Sequence, residues 1–449
     1  MNTVFNQEIL DKKPERLGDY QENYTHASAQ LKKLIKSYFI RSEYLTQNTK
    51  GFFKAHELIA KFSPTLTYHM SVHFNLFAGT IISLGSDEQK EKYIEEANNG
   101  TLGCFALTEH DAGVFSGMKL KTKAEYNSKK NTFILNGSKN WISLGISAKY
   151  GIIIANLIFN KENKGPHGFI IDLSLPGVER KYVAQKACLQ GLDNAQLFFN
   201  NVEIPNDALL SKYTKIENKE YIKDDDYSFL KIANRLQSGR ICIGSGAIAI
   251  TESTLNNLIK YTLTKKITIS KDRYVYMEEL PIIKNKFNEF KAKINKLNNF
   301  KEYVQDKYIL ELNQPSKYIL DLIATLKFYS TYECCDILHQ SRKIIGSYGL
   351  SHDSNLIPSH DSLYSLLVVE GDNNLLAQKI VKDYLKNIYK SFWTLIIELL
   401  LGNFTKVYLV LFIMFRLKMS KDKLKEWVTL NESIFKLALI LCQEKVNKF

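Results

Sequence analysis

Residues 132–143 read TFILNGSKNWIS, 151–159 GIIIANLIF, 167–173 HGFIIDL and 195–204 AQLFFNNVEI. Each run is rich in β-branched and aromatic side chains and is bounded by Asn, Gly, Lys or Pro, the composition of short strands. The Asn136-Gly137 pair between two apolar runs predicts a turn, and the polar stretch NKENKGP predicts a loop joining the second run to the third. Pro205 closes the last run. A β region from about Gly103 to Tyr213 follows, and the fold is decided by what flanks it.

Upstream, residues 1 to about 102 carry no period-2 stretch, only Pro14 and Pro64, and apolar residues at three and four spacing, which predicts helices. Ser86 and Gln89 have capping-box spacing at the head of SDEQKEKYIEEA, with Asn98, Asn99 and Gly100 as the stop. Downstream, a polar loop over about 214–227 gives way to long helical patterns that run to the C-terminus. The expected order is therefore an N-terminal helical domain (1–102), a middle β domain (103–213), a C-terminal helical bundle (228–390) and a helical tail (391–449).

The 449 residues suit about three domains. An apolar fraction of 45%, a charged fraction of 24% and only 8 prolines exclude a disordered or collagen-like chain. The net charge of +13 invites a polyanion: nucleic acid, an acidic membrane surface or a phosphorylated small molecule. Nothing matches a helix-turn-helix, RNP or finger motif, so nucleic acid is supported by charge alone. Six cysteines without a CxxC pair fit neither a disulfide scaffold nor a zinc ribbon, and a reducing compartment is expected. MNTVFNQEILDKKPER lacks an apolar signal core, and the final NKF is no peroxisomal address. FWTLIIELLLGNFTKVYLVLFIMF is interrupted by Glu398 and Lys406, so buried helices rather than a membrane span are expected.

Several residues could carry chemistry. His69 and His73 share a helix face at i, i+4, but with Met70 where a zincin places glutamate and no third ligand in view they read as structural. Gly244-Ser245-Gly246 with Ala249 matches G-x-G-x-x-A, yet no β-α-β context surrounds it. A helix whose small residues admit a close neighbour is the better reading. The lysine-rich stretch 283–307 interleaves Phe287, Phe290, Ile294, Leu297 and Phe300, a solvated face over a packed stripe. Finally, VVEGDNNLLAQKIVKDYL delivers Glu370 just before Gly371 and a helix that Asp372 can cap. Glu370 is either a helix-start acid complementing the dipole or a general base whose pKa is raised by apolar neighbours.

Taken together, CFALTEHDAG, LNGSKNWISLG, GLDNAQLFFNNVEIPNDALL, SGRICIG, ECCDILHQSRKIIGSYGLS and LLVVEGDNN resemble, in order, the conserved blocks of the acyl-CoA dehydrogenase and oxidase superfamily, with the oxidase branch nearer. The resemblance implies an α+β multidomain fold: N-terminal helices, a middle β-barrel or sandwich, and a C-terminal helical bundle. It implies FAD as cofactor, with Thr108, Trp141, Ile142, Ser143, Lys266, Gly346 and Asp372 around it. Ser116, Arg240 and Gly371 would contact a fatty acyl-CoA substrate, and Glu370 would be the catalytic base. The implied reaction is α,β-dehydrogenation to the trans-2-enoyl-CoA, with O2 as acceptor and H2O2 as product. A dehydrogenase passing electrons to an electron-transfer flavoprotein, and a non-catalytic acyl-CoA-binding relative, are the other readings. Also implied are a homodimer or homotetramer and a peroxisomal location, with cytoplasm or mitochondrion as alternatives.

Overall fold

The computed structural model describes residues 19–111, 120–183, 186, 188–224, 236–312, 314–390 and 393–449. The chain separates into two compact units, 1–242 and 243–449. The architecture is α+β: helices, then a sheet, then helices.

In the first unit, helices α1 (Tyr20–Lys36), α2 (Tyr44–Gln47), α3 (Thr49–Phe62), α4 (Pro64–Met70), a π-helical stretch (Ser71–Ala78), α5 (Gly79–Leu84) and α6 (Asp87–Asn98) precede the strands. The predicted capping box is formed: Gln89 N donates to Ser86 Oγ at 3.3 Å, and Ser86 N donates to Gln89 Oε1 at 3.0 Å. The strands are β1 (Gly103–Ala106), β2 (Lys123–Asn127), β3 (Thr132–Ser143), β4 (Tyr150–Phe159), β5 (Glu162–Asp172), β6 (Val178–Tyr182) and β7 (Asn194–Pro205), with a small hairpin of β8 (Thr214–Glu217) and β9 (Glu220–Lys223). One edge of β4 pairs in parallel with β1 over Tyr150–Ile153 and with β2 over Asn156–Ile158, while β5 runs antiparallel along the other. From β2 the sheet continues through β3 and β7 to β6. Phe77, Ile81, Leu84 and Ile94 of the helices share a buried core with Phe105, Ile152, Ile154 and Ile170 of the sheet. Burial of each such side chain stabilises by roughly 1.5–3 kcal/mol.

Two turn expectations in the sheet are corrected. Asn136-Gly137 is not a turn but part of the continuous strand β3, where the register to β7 shifts between Leu135 and Gly137 because Asn200 and Asn201 of β7 bulge opposite Asn136. Gly137 has φ +139°, and a Cβ there would lie 2.7 Å from Thr122 Cα. The loop NKENKGP contracts to a tight connection through Asn160 and Lys161, at φ 50° and 68°, and its remainder enters β5. Side-chain pairing along β4 thus extends further than polarity alone suggests.

The boundary between the units falls within α7 (Leu236–Thr264). The second unit adds a hairpin, β10 (Lys266–Ser270) and β11 (Arg273–Tyr276), then α8 (Pro281–Leu310), α9 (Lys317–Ile344), α10 (Leu356–Leu366), α11 (Asn373–Lys390), α12 (Trp393–Leu400), α13 (Phe404–Met419), α14 (Lys423–Thr429) and α15 (Asn431–Val446). The hairpin interrupts the expected all-helical run: Ile267 and Ile269 alternate with polar residues, and Ile267 pairs with Val275 across the hairpin while the register shifts at Ile269. Gly244 sits inside α7, where a Cβ would meet Leu326 Cγ at 3.0 Å, so the small residue does admit a close neighbour. The α8 stripe Phe287, Phe290, Ile294, Leu297 and Phe300 is buried as its spacing predicts.

The tail returns to the bundle. Phe435 meets Phe328 at 5.2 Å, and Lys445 pairs with Asp321 at 2.6 Å. Glu398 and Lys406, which interrupt the apolar run, pair with each other at 2.7 Å across the break at Gly402. Among the described residues no helix is long and apolar enough to cross a membrane. Yet α12 and α13 are only partly buried: Trp393 is 73% and Leu400 81% exposed, since their apolar residues run around the helices and only some face a neighbour.

Candidate active site

Each unit carries a group of residues whose local geometry bears on function. On the first, β1 leads into Leu107, Thr108 and Glu109. The Glu109 carboxylate turns inward: Oε1 accepts from Thr122 Oγ1 at 2.6 Å, Thr122 N at 3.1 Å and Lys139 Nζ at 2.8 Å, and Oε2 accepts from Lys121 N at 2.7 Å. Lys139 Nζ, fully buried, also donates to Leu107 O at 3.1 Å. Burial alone would raise the Glu109 carboxyl, but the hydrogen bonds from Lys139, Thr122 and Lys121 outweigh it and hold the pKa below the usual value. Burial pulls the Lys139 ammonium down to about 8, against the opposing hydrogen bond it donates to Glu109. The pair ties the loop to β3, and Asn140 N donates to Thr108 O at 2.9 Å.

Directly after that tie the β3–β7 register shifts between Lys139 and Ile142. Trp141 occupies the bulge at φ 59° and is 53% exposed. A left-handed aromatic costs on the order of 1 kcal/mol, and a bulge re-aims its side chain. Ile142 is buried, and Ser143 Oγ accepts from Asn194 Nδ2 at 3.0 Å. Thr108, Trp141, Ile142 and Ser143 are thus held together, offering a flat apolar ring and hydroxyls. Arg240, on the first turns of α7, is half-buried with Nη1 3.4 Å from Gln237 Oε1. Ser116 lies outside the described residues.

On the second unit Glu370, Gly371 and Asp372 form the turn between α10 and α11. Glu370 has φ 52° and Gly371 φ 105°, two successive left-handed residues. Asp372 Oδ1 accepts from Asn374 N at 2.7 Å and Nδ2 at 3.0 Å, so it caps α11 as expected. Asn373 N donates to Leu367 O at 2.9 Å, closing the turn. From α9, the buried Lys327 Nζ donates to Leu367 O at 3.1 Å, Gly371 O at 2.7 Å and Asn373 Oδ1 at 2.7 Å. Asn373 Nδ2 in turn donates to Phe328 O at 3.2 Å and Thr331 Oγ1 at 3.0 Å. Gly346 ends α9 at φ 68°, where only glycine is unstrained. Lys266 is not at a helix end but on the β10–β11 hairpin, 4.2 Å above the Tyr274 ring. It and Gly346 sit on separate elements from the Glu370 turn.

His69 and His73 are structural. His69 Nε2 accepts from Asp193 N at 3.4 Å; His73 Nε2 donates to Ala97 O and its Nδ1 accepts from Gly103 N, both at 3.3 Å.

Residues 1–102 match the profile of the acyl-coenzyme A oxidase N-terminal domain, and residues 104–202 that of the acyl-CoA dehydrogenase middle domain. In these two stretches the chain is similar to the acyl-CoA dehydrogenase and oxidase superfamily. It is 25% identical over 402 residues to the peroxisomal acyl-coenzyme A oxidase 2 of Arabidopsis thaliana, covering 81% of this chain and 57% of that one. Against acyl-coenzyme A oxidase of Saccharomyces cerevisiae it is 24% identical, covering 86% and 58%. The chain therefore spans little more than half the length of these relatives. In fold it is similar to acyl-CoA oxidase 1 of Yarrowia lipolytica, with TM-score 0.79, 18% identity, and 98% of this chain and 74% of that one covered. A glutaryl-CoA dehydrogenase of Mycobacterium smegmatis, solved in complex with FADH2, is similar at TM-score 0.61 and 19% identity, covering 84% and 96%.

The residues that reading by motif missed are Glu109, Lys139, Lys327 and Asn373 as supports. A signal exists for one of them: Lys327 is the lone cation between Lys317 and Arg342 of α9, flanked by the buried Leu326 and Phe328. Lys139 continues the inward alternation of Phe133 and Leu135 along β3, but the turn expected at Asn136-Gly137 hides that pattern in the sequence.

Proposed function

We propose that this protein dehydrogenates a fatty acyl-CoA thioester between its α and β carbons, with FAD as cofactor, O2 as acceptor and H2O2 as product. The observation that carries the proposal is Glu370, a carboxylate in a left-handed turn fixed by a buried lysine and a capped helix. A carboxylate so placed is an expenditure of conformational strain that a simple helix-start acid does not need.

The residues on the first unit fit a flavin. An exposed, re-aimed Trp141 ring, with Thr108 tied to the neighbouring Asn140 and Ser143 two residues on, suits a flat heteroaromatic with hydrogen-bonding edges. Thr108, Trp141, Ile142 and Ser143 would hold it, with Lys266, Gly346 and Asp372 proposed as further contacts. Ser116, Arg240 and Gly371 are proposed for the acyl-CoA, the guanidinium of Arg240 toward a phosphate. The chemistry a bound flavin supplies is acceptance of the hydride that leaves the β carbon. Glu370 removes the α proton, a weakly acidic one that must be taken where water is excluded and the thioester carbonyl is polarised. The proton rests on the Glu370 carboxylate at the end of the step.

An oxidase is favoured over a dehydrogenase because the N-terminal domain matches the oxidase profile. Peroxide formed in air without an electron-transfer flavoprotein tests that choice. A homodimer or homotetramer, a peroxisomal location and the domain limits 1–102, 103–213, 228–390 and 391–449 complete the proposal. Replacement of Glu370 by Gln tests its centre: turnover should vanish with the flavin still bound, and retained turnover would reject Glu370 as the base.

A further inference from the structure

We propose that Lys327 is the positioning residue for Glu370: its ammonium fixes the turn that aims the base. The inference rests on the reading of Glu370 as base. Chain geometry leaves the turn poorly supported by itself. Glu370 and Gly371 are both left-handed, and between the flanking carbonyls of Leu367 and Gly371 the backbone closes the turn through Asn373 N to Leu367 O at 2.9 Å. An ammonium presents three donors and can serve three acceptors at once. Lys327 Nζ does so, binding Leu367 O at 3.1 Å, Gly371 O at 2.7 Å and Asn373 Oδ1 at 2.7 Å.

The three acceptors bracket Glu370 from three residues before to three after. With both flanks fixed, the remaining freedom is the glutamate's own side-chain torsions. The clamp is anchored in turn. Lys327 is 0% exposed on the long helix α9, and Asn373 is held to the same helix through Phe328 O and Thr331 Oγ1. Thr331 Oγ1 donates to Lys327 O at 2.8 Å and sits 3.2 Å from Phe328 O. Burying a cation is expensive unless its donors are satisfied, and placing one here secures a backbone that ordinary packing would leave loose. Misplacement of a reacting group by about 1 Å costs about 10²-fold in rate, which sets the scale expected when the clamp is removed.

The test compares Lys327→Met, Lys327→Arg and Thr331→Val with Glu370→Gln in the full chain loaded with flavin. Lys327→Met should lower kcat about 10²-fold, leave KM and the flavin absorbance near those of the parent, and raise the kinetic isotope effect for an α-deuterated acyl-CoA, because proton removal becomes the slow step. Lys327→Arg should recover part of kcat. In the Glu370→Gln background the Lys327→Met change should cost nothing further. If Lys327→Met does not yield folded protein, Thr331→Val, which removes one anchor of Asn373, should show the same signature in weaker form. Parental kcat and isotope effect in Lys327→Met or, failing that variant, in Thr331→Val would overturn the inference while Glu370→Gln stays inactive. Turnover by Glu370→Gln would instead overturn the reading beneath it.

Discussion

Acidification from pH 7 to pH 5 should unfold the first unit before the second. Four histidines of that unit, His56, His69, His73 and His167, are at most 1% exposed. Burial lowers His56, His73 and His167 to about 4 and His69 to about 3, from an ordinary 6.5. In His69, His73 and His167 one ring nitrogen accepts a hydrogen bond, which the protonated ring cannot do. The carbonyls of Phe52 and Gly165 can only accept, so Nδ1 carries the proton in His56 and His167, and His167 Nε2 accepts from Tyr221 OH at 3.0 Å. His56 Nε2 meets no acceptor among the described residues. Since the folded values lie below the unfolded one, the unfolded chain takes up protons first. Stability is full above 6.5 and drains as pH falls through 6.5 toward about 4. Each ring then costs about 2 kcal/mol between pH 7 and pH 5, a figure that depends little on how far below 5 the folded value lies. Four rings amount to about 7 kcal/mol against a typical total of roughly 5–15 kcal/mol. Asp193 works in the opposite sense, its carboxyl raised chiefly by burial. Thermal melts at pH 7, 6 and 5, with hydrogen exchange to separate the units, measure the loss, and His167→Asn should reduce its slope by about a quarter. An unchanged melting temperature at pH 5, or earlier opening of the second unit, would refute the reasoning.

Lys139→Met leaves the Glu109 carboxylate buried without its cation and should destabilise the first unit by about 3–5 kcal/mol, read from urea unfolding, with loss of bound flavin. Trp141→Ala, at a half-exposed position, should change the melting temperature little yet lower the flavin-to-protein absorbance ratio of the purified protein. A full flavin complement in that variant would remove Trp141 from the cofactor contacts.

What the sequence discloses is what local physics decides. The Ser86–Gln89 cap, the α8 stripe and the Asp372 cap are all set by the spacing of residues along one local segment, and helix, sheet, helix could be read in that order. What stays hidden depends on distant partners. Asn136-Gly137 has the composition of a turn, but pairing with β7 keeps it extended inside β3. Lys139 and Glu109 are 30 residues apart, and Lys327 lies 43 residues before the glutamate it supports. A buried lysine in a helix is visible as an oddity in sequence, but only the fold shows which carbonyls it serves.

The central claim is that Glu370 starts a reaction whose electrons enter a bound flavin. One measurement addresses it most directly: the flavin absorbance of the purified protein during anaerobic titration with a fatty acyl-CoA, for the parent and for Glu370→Gln. The account predicts a yellow parent that bleaches and a yellow variant that does not. Equal bleaching of the two, or a parent that cannot be loaded with flavin, would contradict it.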